Sequence, residues 1–114
     1  MRVVDRKTFL TLPAGTIYCK GIQWAFDGLH IKDDSLENDW IYLDMAWPNA
    51  FDAGDAVDIL QRSLATGSSF ECEDAFGRDG CFNDDAVFLI FEKGDLIALR
   101  GRIEQALQLC NDSA

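Results

Sequence analysis

The sequence is poor in the groups that most catalysts and nucleic-acid binders depend on. It holds a single histidine, His30, so a Cys–His or Ser–His pair has only one possible base. His30 falls in a predicted strand beside a turn and reads as an ordinary strand or surface histidine. No G-x-S-x-G, P-loop or G-x-G-x-x-G occurs, and Gly77-Arg78-Asp79-Gly80 reads as a turn rather than a phosphate cradle. Cys19, Cys72, Cys81 and Cys110 form no C-x-x-C pair, so zinc-site spacing is absent. The longest apolar run, Ala86 to Phe91, is far too short to cross a bilayer. An acid, Asp5, precedes any apolar stretch, so no signal peptide is expected. The expected setting is the cytoplasm, with free, buried thiols and no disulfide, even between Cys72 and Cys81 on neighbouring strands. Basic residues are scarce as well: 10 against 20 acids, a formal net charge of −10. Phosphate binding needs Lys and Arg clusters, so direct nucleic-acid binding and anionic membranes are excluded.

What is present suits one domain spanning residues 1–114. Hydrophobic residues make up 48% of the 114 positions and aromatics 11%, enough bulk for a core and against disorder. No repeat, linker or low-complexity tract appears. Asp5 is a good N-cap, Val4 and Phe9 have the spacing of a hydrophobic staple, and Pro13-Ala14-Gly15 ends that first helix. Strand-like alternation follows at Ile17–Lys20 and again at Ile22, Trp24 and Phe26, with Gly21 as a break or bulge and Asp27-Gly28 as a tight turn. Leu29–Lys32 continues the pattern, the polar stretch Asp33 to Asp39 makes a connection, and Trp40–Met45 is the next strand. On it Ile41, Leu43 and Met45 share one face, and Trp40, Tyr42 and Asp44 the other. A second helix is expected over Asp52–Ala65, stopped by Gly67. A strand at Phe70–Glu73, a buried central strand at Ala86–Phe91 and a last helix from Asp95 complete the order α-β-β-β-α-β-β-α. The fold class is α+β: an antiparallel sheet of about five strands with helices packed on one face. The other face is expected to carry Trp40, Tyr42 and the acids.

The charge is uneven. Residues 27–85 hold fifteen acids against Lys32, Arg62 and Arg78, so the whole net negative charge lies in the middle of the chain. Concentrated like charge costs self-repulsion, which suggests a use: docking on a basic surface, with carboxylates imitating nucleic-acid phosphates. The candidate partner-binding residues are Asp33, Asp34, Glu37, Asp39, Trp40, Tyr42, Asp44, Glu71, Glu73 and Asp74, the aromatics serving as anchors in an acidic rim. The bland reading is a solvated acidic face that only keeps the protein soluble. Asp33 to Asp39 looks faintly like a calcium loop but lacks the Gly at its sixth position and the Glu at its twelfth, where Asp44 stands. No metal, cofactor or catalytic residue is assigned.

Phe9-Leu10-Thr11-Leu12-Pro13-Ala14-Gly15-Thr16-Ile17-Tyr18-Cys19-Lys20 resembles the start of small phage and prophage proteins. The ending, a buried strand followed by Glu92-Lys93-Gly94-Asp95 and an amphipathic helix, is similar to theirs too. The resemblance covers about a third of the chain and implies a context in which small acidic proteins act as anti-CRISPR or other anti-defence inhibitors. The expected function is thus a non-enzymatic inhibitor bound to a basic, nucleic-acid-binding protein. Three alternatives stay open: an immunity protein neutralising a basic toxin, a homodimeric structural or regulatory domain, and a small enzyme using Cys72 or Cys81.

Overall fold

In the computed structural model, which describes residues 1–113, the chain opens with a strand, not a helix. β1 (Arg2–Asp5) leads directly into a one-turn helix, α1 (Arg6–Phe9). Asp5 caps α1 as expected, its carboxylate accepting from the Thr8 amide at 2.8 Å. Val4 packs on the core that Phe9 anchors, which is the staple geometry. Then come β2 (Ile17–Ile22), β3 (Ala25–Phe26), β4 (His30–Leu36), β5 (Asp39–Asp44), α2 (Ala53–Thr66), β6 (Gly77–Arg78), β7 (Val87–Phe91) and α3 (Lys93–Ser113). The fold is α+β on an antiparallel sheet. Its strands number seven where about five were expected, in the order β1-β7-β2-β4-β5-β6, with β3 folded back on β2.

Several local expectations are corrected. Gly21 is not a bulge: β2 stays in register with β7 from Ile17↔Phe91 to Gly21↔Val87. Gly21 is small because the Phe26 ring lies over it, and a Cβ there would sit 2.7 Å from that ring. The tight turn falls at Gln23-Trp24, not at Asp27-Gly28 or on a continuing strand. Both turn residues have positive φ (50° and 65°), and Trp24 is largely exposed. Asp27 instead prolongs the pairing with β2, its amide donating to the Lys20 carbonyl at 2.9 Å. The connection expected over Asp33–Asp39 shrinks to Glu37-Asn38, because β4 runs on to Leu36. Phe70–Glu73 makes only an isolated bridge, Cys72 to Pro48. The strand added to β5 is Gly77–Arg78, read from sequence as a turn.

The core sits on one face of the sheet. Tyr18, Trp40, Phe88 and Ile90 point there, covered by Phe9 of α1 and by Ala86. Phe9 stacks on Phe88 at 4.0 Å and meets Tyr18 and Trp40 edge-on at 4.6 and 4.9 Å. The long helices contribute little to this core. In α2 only Ala56 is buried; Asp52, expected inside the first turn, is instead the N-cap, and Gly67 ends the helix as expected, in the left-handed conformation. No residue of α3 from Lys93 to Asn111 is fully buried. Covering is therefore divided: α1 lies over the Tyr18 face, while α3 meets Ile17 and Met45 on the other. The radius of gyration, 16.1 Å, exceeds the roughly 13 Å of a compact chain this long.

Candidate functional site

Most of the residues singled out from sequence lie on the β4–β5 hairpin or beside it. Its strands pair from His30↔Asp44 through Lys32↔Tyr42, then slip by a bulge before Ser35↔Trp40 and Leu36↔Asp39. Glu37, at φ 43°, forms the two-residue turn with Asn38. Arg6 fastens this end to the body: its guanidinium donates to the Asn38 carbonyl, to Asn38 Oδ1 at 3.2 Å and to the Cys81 carbonyl at 3.3 Å.

Trp40 is not an exposed anchor. It is fully buried; its Nε1–H donates to the Tyr18 hydroxyl at 2.7 Å, and Arg6 and Lys20 lie over its ring at 5.0 and 5.5 Å. Both faces of β5 are apolar enough to go inside. The Trp40 face wins because Tyr18 and Phe88 complete it under Phe9. Asp39 is buried too, accepting from Arg78 Nε at 3.1 Å and the Gly80 amide at 3.2 Å. Burial pushes its carboxyl up, but the Trp40 and Gly80 amides and Arg78 outweigh that and hold it below the usual range. Neither residue can meet a partner in this structure. Tyr42 is half-buried; burial, then the nearby Asp44, Asp79 and Glu73 charges, push its phenol up to about 12.

The densest group of titratable side chains lies at the other end of the hairpin, around His30. Its Nε2 is 2.8 Å from the Asp27 carboxylate, and its Nδ1 lies against Asp44 as an ion contact rather than an aligned hydrogen bond. Glu73 joins them, accepting from the Asp44 amide at 3.2 Å. Burial alone would lower the His30 pKa, but the hydrogen bond and charge of Asp27, with Asp44, raise it above 6.5 overall. Burial, helped by the Asp44 charge, raises the Glu73 carboxyl as well. Sequence reasoning treated His30 as incidental. Asp27, three residues earlier, was visible; Asp44 is visible only once the strand register is known. The cluster can hold a proton, and it ties the β3–β4 connection, β5 and the 71–74 segment together.

The ten candidate residues therefore do not form one surface. Asp33, Asp34 and Glu37 lie toward the turn, while Asp44, Glu73 and their neighbours Glu71 and Asp74 lie at the far end beside His30, about 10 Å from Asp33 and about 23 Å from Glu37 along the strand direction. Four acids of the middle segment are tied to cations: Asp39 to Arg78, Asp79 to Lys20 at 3.1 Å, and Asp27 and Asp44 to His30. Asp33, Asp34, Glu37, Asp58, Glu71, Asp74, Asp84 and Asp85 form no ion pair among the described residues. Lys32, one of the three bases of this segment, is buried, with Nζ donating to the Leu12 and Asp33 carbonyls at 2.8 and 3.0 Å.

The thiols also depart from expectation. Only Cys19 is buried, and burial raises its pKa; Cys72, Cys81 and Cys110 are free and exposed. Among the described residues no group of three acid, cysteine or histidine side chains is arranged to hold a metal ion, and no helix is long and apolar enough to cross a membrane. Compared with protein-family models, curated proteins and solved structures, the chain matches none of them.

Proposed function

We propose that the chain is a non-enzymatic binding protein that docks on a basic protein surface through the turn end of the β4–β5 hairpin. The observation that carries this reading is the unpaired trio Asp33, Asp34 and Glu37, grouped within five residues. Lys32 and Arg6, the cations nearest the trio, are buried and donate to the Leu12, Asp33, Asn38 and Cys81 carbonyls rather than to these carboxylates, and Arg78 is engaged by Asp39. Arg6 holds the turn in place, so the carboxylates are presented with little ordering cost on binding. Such a patch suits the Lys- and Arg-rich groove of a nucleic-acid-binding protein, for which three carboxylates at close spacing stand in for backbone phosphates. An anti-defence inhibitor and an immunity protein are two forms of this activity and differ only in target.

The patch is narrower than the sequence suggested, because Asp39, Trp40 and Asp44 serve the interior. The test is affinity capture at low and high salt, repeated with the charge-neutral variant D33N/D34N/E37Q. Three exposed ion pairs at roughly 0.5 kcal/mol each amount to about a tenfold loss of affinity. Capture that is insensitive to both salt and these substitutions refutes the reading.

A further inference from the structure

The Tyr18 face of the sheet is sealed, but the opposite face is not. Cross-strand registers place Val3, Leu89 and Cys19 in one row and Phe91, Ile17, Ile31 and Leu43 in the next. These seven side chains are apolar and uncharged. Apart from Cys19 they remain half-buried or exposed, whereas Phe88 and Ile90, alternating with them along β7, are buried. α3 meets this face near one end only, leaving a groove of about 270 Å³ whose walls include Ile17, Met45, Leu99 and Ile103. Beyond that groove the helix continues with every residue from Arg100 to Asn111 exposed. Yet Leu96, Leu99, Ile103, Ala106 and Cys110 recur at alternating spacings of three and four, the seam of a helix that packs along its length. Leu107 borders that seam and is 61% exposed.

We propose that this face, α3 with the Ile17–Leu43–Leu89 side of the sheet, is the interface of a two-fold dimer of the chain. Charge selects a second copy over a basic partner. From Lys93 to Asp112 three bases balance three acids, and the two sheet rows carry no charge. The hairpin acids that would attract a cationic protein, Asp34 and Glu37, lie beyond the Ile31–Leu43 row, toward the β4–β5 turn. A two-fold interface is self-complementary, and each copy offers both a helix stripe and an open sheet face. The extent is also sufficient. A 21-residue helix is about 31 Å long and five strands span about 19 Å, so the face projects roughly 600 Å², comparable to the ~800 Å² of accessible surface each partner of a stable pair buries.

Sedimentation velocity on the full chain, up to about 200 µM, reads the result, with Leu107→Glu as the interface variant and Leu64→Glu, on α2 and 90% exposed, as its counterpart. The expected species has twice the 12.7 kDa chain mass. L107E weakens the dimer by about 100-fold or more, because two leucines leave the buried face, with an unchanged far-UV spectrum. L64E and D34N/E37Q leave the dimer intact. Raising salt from about 0.15 to about 0.5 M preserves or tightens it by screening the repulsion between two anions, the opposite of its effect on the hairpin patch. A monomer across the whole concentration range, or a dimer indifferent to L107E, overturns the proposal and leaves the hairpin reading untouched.

Discussion

Replacing Tyr18 by Phe deletes one oxygen atom and should cost more than its size suggests. That oxygen accepts the Trp40 indole N–H at 2.7 Å, in a position where Trp40 is completely buried and Tyr18 is 1% exposed. The phenyl ring of the variant keeps its edge-on contact with Phe9 and its place opposite Ile90, so packing is conserved. What changes is that a fully buried donor loses its acceptor. Stranding a neutral buried donor costs about 1–3 kcal/mol, against about 1 kcal/mol for an average hydrogen bond lost to solvent. For a chain of this length that corresponds to a fall in Tm of roughly 4–12 °C. The decisive assay is a double-mutant cycle in urea followed by far-UV circular dichroism, with Y18F made in the native chain and in Trp40→Phe. Where residue 40 has no N–H to strand, Y18F should cost less than about 0.5 kcal/mol, giving a coupling of about 1–2 kcal/mol. Equal costs in the two backgrounds would show that the hydroxyl matters for some other reason, and the account of Trp40 as a polar keystone of the core would be wrong.

Two more perturbations follow from the same structure. His30 has a raised folded pKa, so its stabilisation is complete below the unfolded value of about 6.5 and is lost as pH rises through the folded pKa. Urea midpoints should fall over that window in the native chain, and His30→Gln should flatten the profile. An unchanged slope in H30Q would assign the pH dependence to other groups. The β2–β3 turn holds Gln23 and Trp24 at positive φ, where Asn-Gly is the favoured pair; Q23N/W24G should stabilise the domain by about 1 kcal/mol, read as a higher urea midpoint.

The sequence was most informative where structure is set by near neighbours. Asp52 and Gly67 bound α2 as their capping chemistry dictates, Asp5 caps α1, and the unbroken apolar run at Ala86 marks β7, the strand between β1 and β2. Features set by partners distant in the chain were illegible. Arg2–Asp5 becomes a strand only against β7, and Gly77–Arg78 only against β5. The turn at Gln23-Trp24 carries none of the usual turn residues, so it looked like strand. The site failed for a related reason. Alternation along β5 separates two faces without saying which is inside: Tyr18 and Phe88 across the sheet settle the side of Trp40, and Arg78 with the Gly80 amide settles the burial of Asp39. Which acids are left without an ion pair depends on the Lys20, His30 and Arg78 pairings, which no linear reading could assign.

β1 and its partner strand are separated by roughly 85 residues, and during synthesis at about 5–20 residues per second the first strand waits several seconds for its neighbour. Val3 and Val4 emerge from the ribosome long before Leu89 and Phe88 exist. The sheet therefore closes on β1 only after β7 has been made, and the clamp of Arg6 on Cys81 forms almost as late. Truncations from the carboxyl side that reach β7 should strand both ends of the chain together, leaving a nascent polypeptide for chaperones or proteases to claim.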